Sequence, residues 1–273
     1  MKIYDSHSDI LDNLYTRLNE GVQDPFKEYH LDDLEKGNIV GGIWVVYSSC
    51  DFDMMDAYPK ALKAFEPYKD KYDVIYGLEG LRNVPTLEMF DELYKMGVRH
   101  AMLTWNEANH LATGVKGNPE HGLTPLGKKF IQYMNEHKMI IDVSHLNEKS
   151  FYDVLSEKPQ ILIASHSNAY ALSDHPRNLK DDQLKALKEA GGLIGIVAAY
   201  LGISSYFKDK FVMGTNVNGI DCSEKTLAEV EAMLQKQVEE YAITIHLTNG
   251  ESEVIKGTDM GIKYGGYKQL KEA

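Results

Sequence analysis

The sequence predicts a parallel α/β fold, specifically a (β/α)8 barrel, with an incomplete or altered C-terminal end left open as an alternative. Short apolar, β-branched segments alternate seven times with helical segments over roughly the first 200 residues. Histidine and acidic residues gather where these segments end, the edge at which such barrels carry their active sites. A doubly wound open sheet is the second possibility, but the first strand is followed by His-Ser-Asp rather than a glycine-rich loop.

The elements follow from hydrophobic periodicity along the chain. Predicted strands span residues 2–6, 37–48, 73–77, 100–105, 139–143, 160–164 and 193–197. Predicted helices run to about residue 21 after the first strand, and over residues 54–71, 86–96, 124–137, 148–159 and 181–190. Thr124 and Pro125 are a favourable N-cap and first-turn pair for one of these helices.

The last part of the chain departs from this alternation. Residues 223–241 are predicted to be helical, and residues 242–256 to form a hairpin around Asn249-Gly250, a favoured two-residue turn. An antiparallel hairpin is not expected of the eighth unit of a regular barrel. We therefore expect one barrel domain over residues 1–273, with an atypical tail from residue 201.

Composition narrows the class of protein. The net charge of −12 argues against binding to nucleic acid or to an anionic membrane surface. Cys50 and Cys222 form no CxxC motif, which favours a reducing compartment, although a single disulfide between them stays open. The first residues contain no apolar leader, and no segment is long enough to span a bilayer. These observations predict a cytoplasmic protein.

Five residues at the predicted strand ends are candidate metal ligands. They are His7, Asp9, Glu79, His145 and His166. Strands joined by a helix normally run parallel, so the strand ends that carry the last two histidines are expected to be neighbours. Each residue alone is more often structural than functional, but their joint placement favours a site.

This donor set divides between two divalent cations that share Glu79. One cation would take His7 and Asp9, and the other His145 and His166. Nitrogen and oxygen donors without thiolate suit zinc, while manganese and iron stay open.

Two further residues are candidates for contact with a substrate. Arg177 either clamps a substrate carboxylate or forms a surface salt bridge, and Trp105 is expected to be pocket wall or core. The remaining histidines are expected to be structural at His30, His100, His137 and His246, and loop residues near the site at His110, His121 and His175.

Longer segments resemble the membrane (renal) dipeptidase family, peptidase family M19. The matching segments, in the family's order, are DSHSD, GLEG, GVRHAMLTWNEAN, HGLTPLGKKFIQYMNEHKMIIDVSH, SHSNAYALSDHPRNLKDDQL and GGLIGI. They identify the chain as similar to a cytoplasmic, bacterial-type member with an atypical or truncated C-terminus.

The resemblance implies a (β/α)8 barrel with two zinc ions and a dipeptide substrate, including dipeptides with a C-terminal D-residue. It implies that His7 and Asp9 bind the first zinc, that Glu79 bridges, and that His145 and His166 bind the second. It also implies that Arg177 holds the substrate carboxylate. In the implied reaction, a hydroxide between the ions attacks the peptide carbonyl, and an acidic residue transfers the proton.

Two departures from the family pattern keep alternatives open. Trp105 stands where mammalian members carry a substrate-contacting histidine, which predicts altered specificity. The family's eighth strand ends in a GSDFDG-like motif with the proton-transferring Asp, and the best match is GTDMG with Asp259. The alternatives are a member that binds zinc or small peptides without turnover, and a binuclear hydrolase of a non-peptide ester or lactone. An incomplete barrel would also favour a homodimer.

Overall fold

A curled parallel sheet forms the centre of the protein. The computed structural model describes residues 2–48, 53–195, 210–211 and 214–265. Seven strands pair side by side in chain order, all parallel. They are β1 (Ile3–Ser8), β2 (Ile39–Tyr47), β3 (Asp73–Glu79), β4 (His100–Met102), β5 (Ile140–Asp142), β6 (Leu162–Ala164) and β7 (Leu193–Ile194). The predicted parallel α/β fold is confirmed in the form of a half-barrel.

Helices connect the strands and continue after the sheet. They are α1 (Ile10–Asn19), α2 (Asp32–Lys36), α3 (Met54–Phe65), α4 (Leu87–Lys95), α5 (Pro125–Glu136), α6 (Glu148–Ser156), α7 (Asp181–Glu189) and α8 (Leu227–Glu240). Thr124 caps α5 by accepting a hydrogen bond from the Gly127 N–H, as the Thr-Pro pair predicts. A π-type turn over Lys27–Leu31 and the short α2 are not predicted by the sequence.

The sheet curls far enough to bring its first strand to its sixth. The Ser6 hydroxyl donates a hydrogen bond of 2.8 Å to the carbonyl of Ser165, which directly follows β6. The rings of His7 and His166 lie 4.1 Å apart between centroids. Among the described residues the sheet has seven strands. Its curl brings their C-terminal ends together along one edge, and the predicted site residues gather there.

Successive side chains of β2 point to opposite faces of the sheet and pack into different clusters. Trp44 and Val46 belong to the large core shared with the outer helices. Ile43 and Val45 point the other way and pack with Ile163 inside the curl. The interior holds a mainly apolar cavity of about 480 Å³. The outer core is rich in aromatic side chains, and Phe26, Trp44 and Phe65 lie within 5.8 Å of one another between ring centroids.

Several strands are shorter than predicted. The strand predicted over residues 100–105 ends at Met102, because the chain then enters a loop in which the Asn109 amide donates to the Leu103 carbonyl. The strand predicted over residues 193–197 is described only as far as Ile194, and residues 196–197 lie outside the described residues, as does Cys50. Cys222 is a buried free thiol.

The chain divides into two compact units, residues 1–197 and 198–273. This boundary lies next to residue 201, where the sequence predicts that the atypical tail begins, while the expectation of one domain stays a prediction. The second unit has a small core of its own around Cys222, Val230 and Leu234. Two short strands, β8 (Asn216–Val217) and β9 (Ile220–Asp221), form an antiparallel pair within this unit.

The predicted hairpin in the second unit is present, with a different turn. β10 (Ala242–His246) and β11 (Ser252–Lys256) pair antiparallel. The Gly250 N–H donates to the Leu247 carbonyl, so the turn's central residues are Thr248 and Asn249. Gly250 follows with a φ of +89°, which makes a three-residue loop rather than the predicted two-residue turn.

Within the parts of the chain described here, none of the helices combines the length and the apolar character needed to cross a bilayer.

Candidate metal centre

The carboxylate of Glu79 lies at the centre of the site. Glu79 is the last residue of β3 and is 6% exposed. Its Oε1 lies 3.0 Å from the His145 Nε2 and 3.8 Å from the His166 Nε2, and its Oε2 lies 3.5 Å from the His7 Nε2. One carboxylate is therefore shared by three imidazoles that come from three different strand ends.

The first strand supplies His7 and, immediately after its end, Asp9. The alternation of β1 brings both side chains to the same side, and the His7 Nε2 lies 3.7 Å from the Asp9 Oδ1. Asp9 is exposed, whereas the His7 side chain is largely buried. The two residues therefore meet as the HxD spacing predicts.

The fifth and sixth strands supply His145 and His166, each in the turn after the strand. Their Nε2 atoms lie 2.8 Å apart. His145 has a φ of +71°, a backbone conformation that costs energy for a non-glycine residue and is often retained at functional sites. Its carbonyl accepts a hydrogen bond of 3.0 Å from the Val115 N–H, which helps to hold that conformation.

The far side of each of these two imidazoles is held by a neighbour. The His145 Nδ1 donates to the Asn106 Oδ1 at 2.9 Å, and the His166 Nδ1 lies 2.8 Å from the Ser165 Oγ. Such contacts fix the ring orientation of metal-binding histidines and direct Nε2 toward the metal.

Burial and neighbouring charges shift the pKa values of the site residues in different directions. Burial opposes ionisation of Glu79, but His145 and His7 outweigh it and hold the pKa of Glu79 well below its usual range. Burial likewise opposes protonation of His7, yet Asp9 and Glu79 raise its pKa to about 10. Burial, together with the charge of His7, lowers the pKa of His166 to about 3, and burial also lowers the pKa of His145.

This donor set fits divalent cations. Ligand atoms of His7, Asp9 and Glu79 all lie within 4.8 Å of one another, and so do those of Glu79, His145 and His166. With the His145 Nδ1–H engaged by Asn106, the neutral ring presents a lone pair at Nε2 toward a carboxylate oxygen. A cation between the Nε2 and the carboxylate oxygen would accept a lone pair from each. Without a cation, two lone pairs face each other and neither has a partner.

The two predicted substrate residues lie in the same unit as the site. Trp105 is 37% exposed, and its ring lies 5.9 Å from His145 and 5.5 Å from Tyr47 between centroids. Burial lowers the pKa of Arg177 to about 10, while the charges of Asp142 and Glu79 act in the opposite direction. No ion pair of the Arg177 guanidinium is found in the described part of the chain, so a surface salt bridge of this residue is not seen there.

Asp259 is not among the residues brought together here. It lies in the second unit, in a 3-10 turn over Gly257–Met260 that follows the hairpin strand β11. Its side chain is exposed. The sequence match to a strand-end motif thus falls on a turn after an antiparallel strand, and its catalytic role stays a prediction.

Two residues that touch the site were not anticipated from the sequence. Asn106 anchors the His145 ring, and the buried Asp142 accepts hydrogen bonds from the main chain before both strand-end histidines. The signal for Asp142 was available, because it is a lone carboxylate inside the apolar segment MIIDV. Asn106 lies in a polar loop and gave no comparable signal.

A curled parallel sheet with its functional side chains at the strand C-termini has the architecture of the barrel enzymes, and the imidazole and carboxylate donors are those of a metal-dependent member of that class. The family model of the membrane dipeptidases, peptidase family M19, matches residues 64–238. The chain belongs to this family. The matched residues include Glu79, Trp105, His145, His166 and Arg177, and the remaining predicted site residues, His7, Asp9 and Asp259, lie outside them.

Curated relatives match shorter parts of the chain. A Schizosaccharomyces pombe protein described as an uncharacterized dipeptidase is 34% identical over 170 residues, which is 60% of this chain and 40% of the relative. An uncharacterized Klebsiella pneumoniae protein from the pqqA 5′ region is 45% identical over 109 residues, 38% of this chain and 40% of the relative. The chain thus spans about 40% of the length of these relatives.

Solved structures share the fold. A Rhodobacter sphaeroides metallopeptidase, liganded with a phosphinate mimic of the dipeptide L-Ala-D-Ala, aligns with a TM-score of 0.62 at 20% identity over 88% of this chain and 93% of its own. A probable dipeptidase from Pseudomonas aeruginosa aligns with a TM-score of 0.57 at 20% identity, over 72% of this chain and 60% of its own.

Proposed function

We propose that this chain is a dipeptidase that uses two divalent cations, zinc in the first instance, to hydrolyse dipeptides, including those with a C-terminal D-residue. The observation that carries the proposal is the convergence of three imidazole Nε2 atoms on the two oxygens of Glu79. Membership of the membrane dipeptidase family supports it. The phosphinate dipeptide mimic bound by the structurally similar metallopeptidase suggests the substrate class.

The proposed ligand sets follow the two clusters of donor atoms. His7 and Asp9 would hold one cation, His145 and His166 the other, and Glu79 would contribute one oxygen to each. Two cations held by these residues would supply a bound water of lowered pKa and a Lewis acid for the substrate carbonyl. The protein's own contribution is to hold the imidazole rings from behind, through Asn106 and Ser165, and to keep Glu79 ionised and buried.

Substrate orientation would come from Arg177 and Trp105. Arg177 is partly buried, and its pKa responds to the charge of Glu79, so it lies within electrostatic range of the site. A free substrate carboxylate would supply the counter-ion that the described residues do not. Trp105, packed edge-on against Tyr47, would form an apolar wall for a substrate side chain.

The test measures metal and activity on the same sample. We expect about two zinc ions per chain, together with chelator-sensitive hydrolysis of Gly-D-Ala and L-Ala-L-Ala. The C-terminal amide of L-Ala-L-Ala should show a sharply raised KM, because it removes the charge proposed to pair with Arg177. His7→Ala and His145→Ala should each lose one ion.

His246→Ala is the matched control, because His246 lies in the second unit and contacts only Ser252 among the described hydrogen bonds. It should keep both the metal and the activity. A chain that binds no zinc would contradict the proposed site, and one that hydrolyses esters or lactones but no dipeptide would contradict the proposed substrate.

A binding protein without turnover is the second candidate. The position of Asp259 in an exposed turn of the second unit favours it, since no strand-end Asp of the expected motif lies within the described sheet. Zinc bound at full stoichiometry without hydrolysis of either dipeptide would support this candidate over the first.

A further inference from the structure

A buried carboxylate and imidazole lie within the sheet between the strands that lead to the site. Asp142, the last residue of β5, is 1% exposed, and His100, the first residue of β4, is fully buried. The His100 Nε2 donates to the Asp142 Oδ2 at 2.9 Å. A buried carboxylate is expensive to maintain unless its oxygens are hydrogen-bonded, so the partners of Asp142 indicate what it does.

The other carboxylate oxygen of Asp142 connects the two strand ends that carry histidines. The Asp142 Oδ1 accepts hydrogen bonds from the Ser144 N–H at 2.9 Å and from the Ser165 N–H at 3.1 Å. Each of these serines immediately precedes a site histidine, His145 or His166. One oxygen atom thus fixes the main chain at both turns at once.

A further contact strengthens this link. The Ser144 hydroxyl accepts a hydrogen bond of 3.3 Å from the His166 N–H, so the turn after β5 also holds the turn after β6. The side chains that result lie with their Nε2 atoms 2.8 Å apart. A short hydrogen-bonded unit centred on Asp142 therefore links the two turns that carry the imidazoles.

His100 is itself held firmly against the carboxylate. A Cβ at Gly77 would overlap the His100 Nδ1, so the glycine in β3 leaves the space that the ring occupies. The His100 Nδ1 has no hydrogen-bond partner in the described residues. This agrees with the neutral tautomer that donates from Nε2, because its Nδ1 carries no hydrogen that needs an acceptor.

We propose that Asp142, oriented by His100, is a positioning residue that sets the spacing of His145 and His166 for metal binding. The inference rests on the proposed function, since it assigns a role in forming that site. Asp142 also lies within 4.8 Å of ligand atoms of His7 and His166, so a ligand role is the competing explanation. Three hydrogen bonds already engage its two oxygens, which favours positioning over ligation.

The experiment titrates the full chain with Zn²⁺ alone against a competing chelator, and records the absorption bands of the Co²⁺-loaded chain. Asp142→Ala should weaken zinc binding by about 10- to 100-fold, the range typical of residues that orient metal ligands. It should also shift the cobalt bands, because the two imidazoles lose their fixed spacing. Asp142→Asn keeps an oxygen acceptor for both N–H groups, but its amide NH2 can bond the His100 Nε2 only if that ring changes tautomer, so it should weaken zinc binding less than Asp142→Ala does.

A second variant keeps the test decisive if Asp142→Ala does not fold. His100→Phe preserves the main-chain hydrogen bonds but removes the group that orients the carboxylate, so it should weaken zinc binding less than Asp142→Ala while still shifting the cobalt bands. Leu93→Ala, in the core of α4, is the control for lost stability. It should lower Tm and leave zinc affinity and the cobalt bands unchanged.

The outcomes separate this inference from the proposed function. Zinc affinity and cobalt bands unchanged in Asp142→Ala, or in His100→Phe where the former does not fold, would overturn it. If the carboxylate were a metal ligand, Asp142→Ala and Asp142→Asn would both lose a whole ion. Loss of an ion in Asp142→Asn would therefore overturn the inference in favour of ligation. A wild-type chain that binds neither cation would overturn the proposed function and this inference together.

Discussion

Asp12 shows how burial beside the site changes the chemistry of a single residue. It lies in the first turn of α1, partly buried, and its Oδ1 accepts a hydrogen bond of 3.2 Å from the Tyr47 N–H. Burial raises the pKa of Asp12 to about 6, and the nearby charges of Asp9 and Glu79 act in the same direction. The Tyr47 hydrogen bond opposes this only in part.

The raised pKa predicts a specific dependence of stability on pH. The folded chain binds the Asp12 proton more tightly than the unfolded chain does, so this stabilisation is complete below pH 3.8 and is lost as the pH rises to about 6. Asp12→Asn should therefore raise the free energy of unfolding at pH 7 to 8 by up to about 3 kcal/mol. The gain should vanish near pH 4.

Denaturant unfolding across this pH range checks the prediction. Chelator should be present throughout, because cations bound by Asp9 and Glu79 would change the local field. Asp32→Asn, an exposed position, is the control and should not alter the pH dependence. A difference between Asp12→Asn and wild type that is equal at pH 4 and pH 8 would contradict the assignment.

At the residue scale, the sequence predicts a site residue where a histidine or carboxylate stands at the end of a predicted strand. His7, Asp9, Glu79, His145 and His166 each follow or end an apolar segment, so parallel pairing alone predicts that they meet. Their meeting is observed, and their role as ligands stays a prediction. Asn106 could not be identified in this way, because its contact with His145 depends on the path of a loop.

At the scale of elements, the loop after β4 acts as a clamp on the turn after β5. The Asn106 side chain accepts from the His145 ring, and the Val115 N–H donates to the His145 carbonyl. The Lys116 N–H in turn donates to the Asn106 carbonyl at 2.8 Å, which closes the loop on itself. The loop therefore holds both the ring and the strained main chain of one site histidine.

We expect Asn106→Ala to lower zinc affinity by about 10- to 100-fold, because the His145 ring loses the partner that orients it. Asn106→Asp keeps an acceptor oxygen at this position and should retain most of the affinity. Isothermal titration with zinc measures both variants. Asn118→Ala, which removes only the contact of that side chain with the Glu120 N–H, is the control within the same loop. Equal affinities for Asn106→Ala and wild type would show that the loop does not support the site.

Periodicity predicted the type of most elements better than their extent. The turn of the β10–β11 hairpin differs from the prediction because the Asn-Gly pair fits two loop lengths, and backbone hydrogen bonding by Gly250 selects the longer one. The π-type turn over Lys27–Leu31 was missed for a different reason. It presents no buried side chain, and so it leaves no hydrophobic period to detect.

At the scale of the whole molecule, the chain combines a unit built on the parallel seven-stranded sheet with a second unit that contains α8 and two antiparallel strand pairs. All five proposed ligands lie in the first unit, while Asp259 lies in the second. The predicted metal ligands and the predicted proton-transferring residue therefore come from separate units. This separation means that the two functions can be tested independently, since a change in the second unit need not disturb the ligands.

Asp259→Asn is the variant that makes this separation measurable. If Asp259 transfers the proton, the variant should lose dipeptide hydrolysis by about 100-fold or more, the range of a general acid–base contribution, while it retains the zinc content of wild type. The isosteric amide cannot take up the proton but leaves the exposed turn over Gly257–Met260 intact. Glu253→Gln, an exposed carboxylate on the neighbouring strand β11, is the matched control and should keep full activity. Zinc analysis and kcat measurements on L-Ala-L-Ala, made on the same samples, distinguish the cases. Full activity in Asp259→Asn would assign proton transfer to another group. A loss of zinc would mean that the second unit supports the metal site itself.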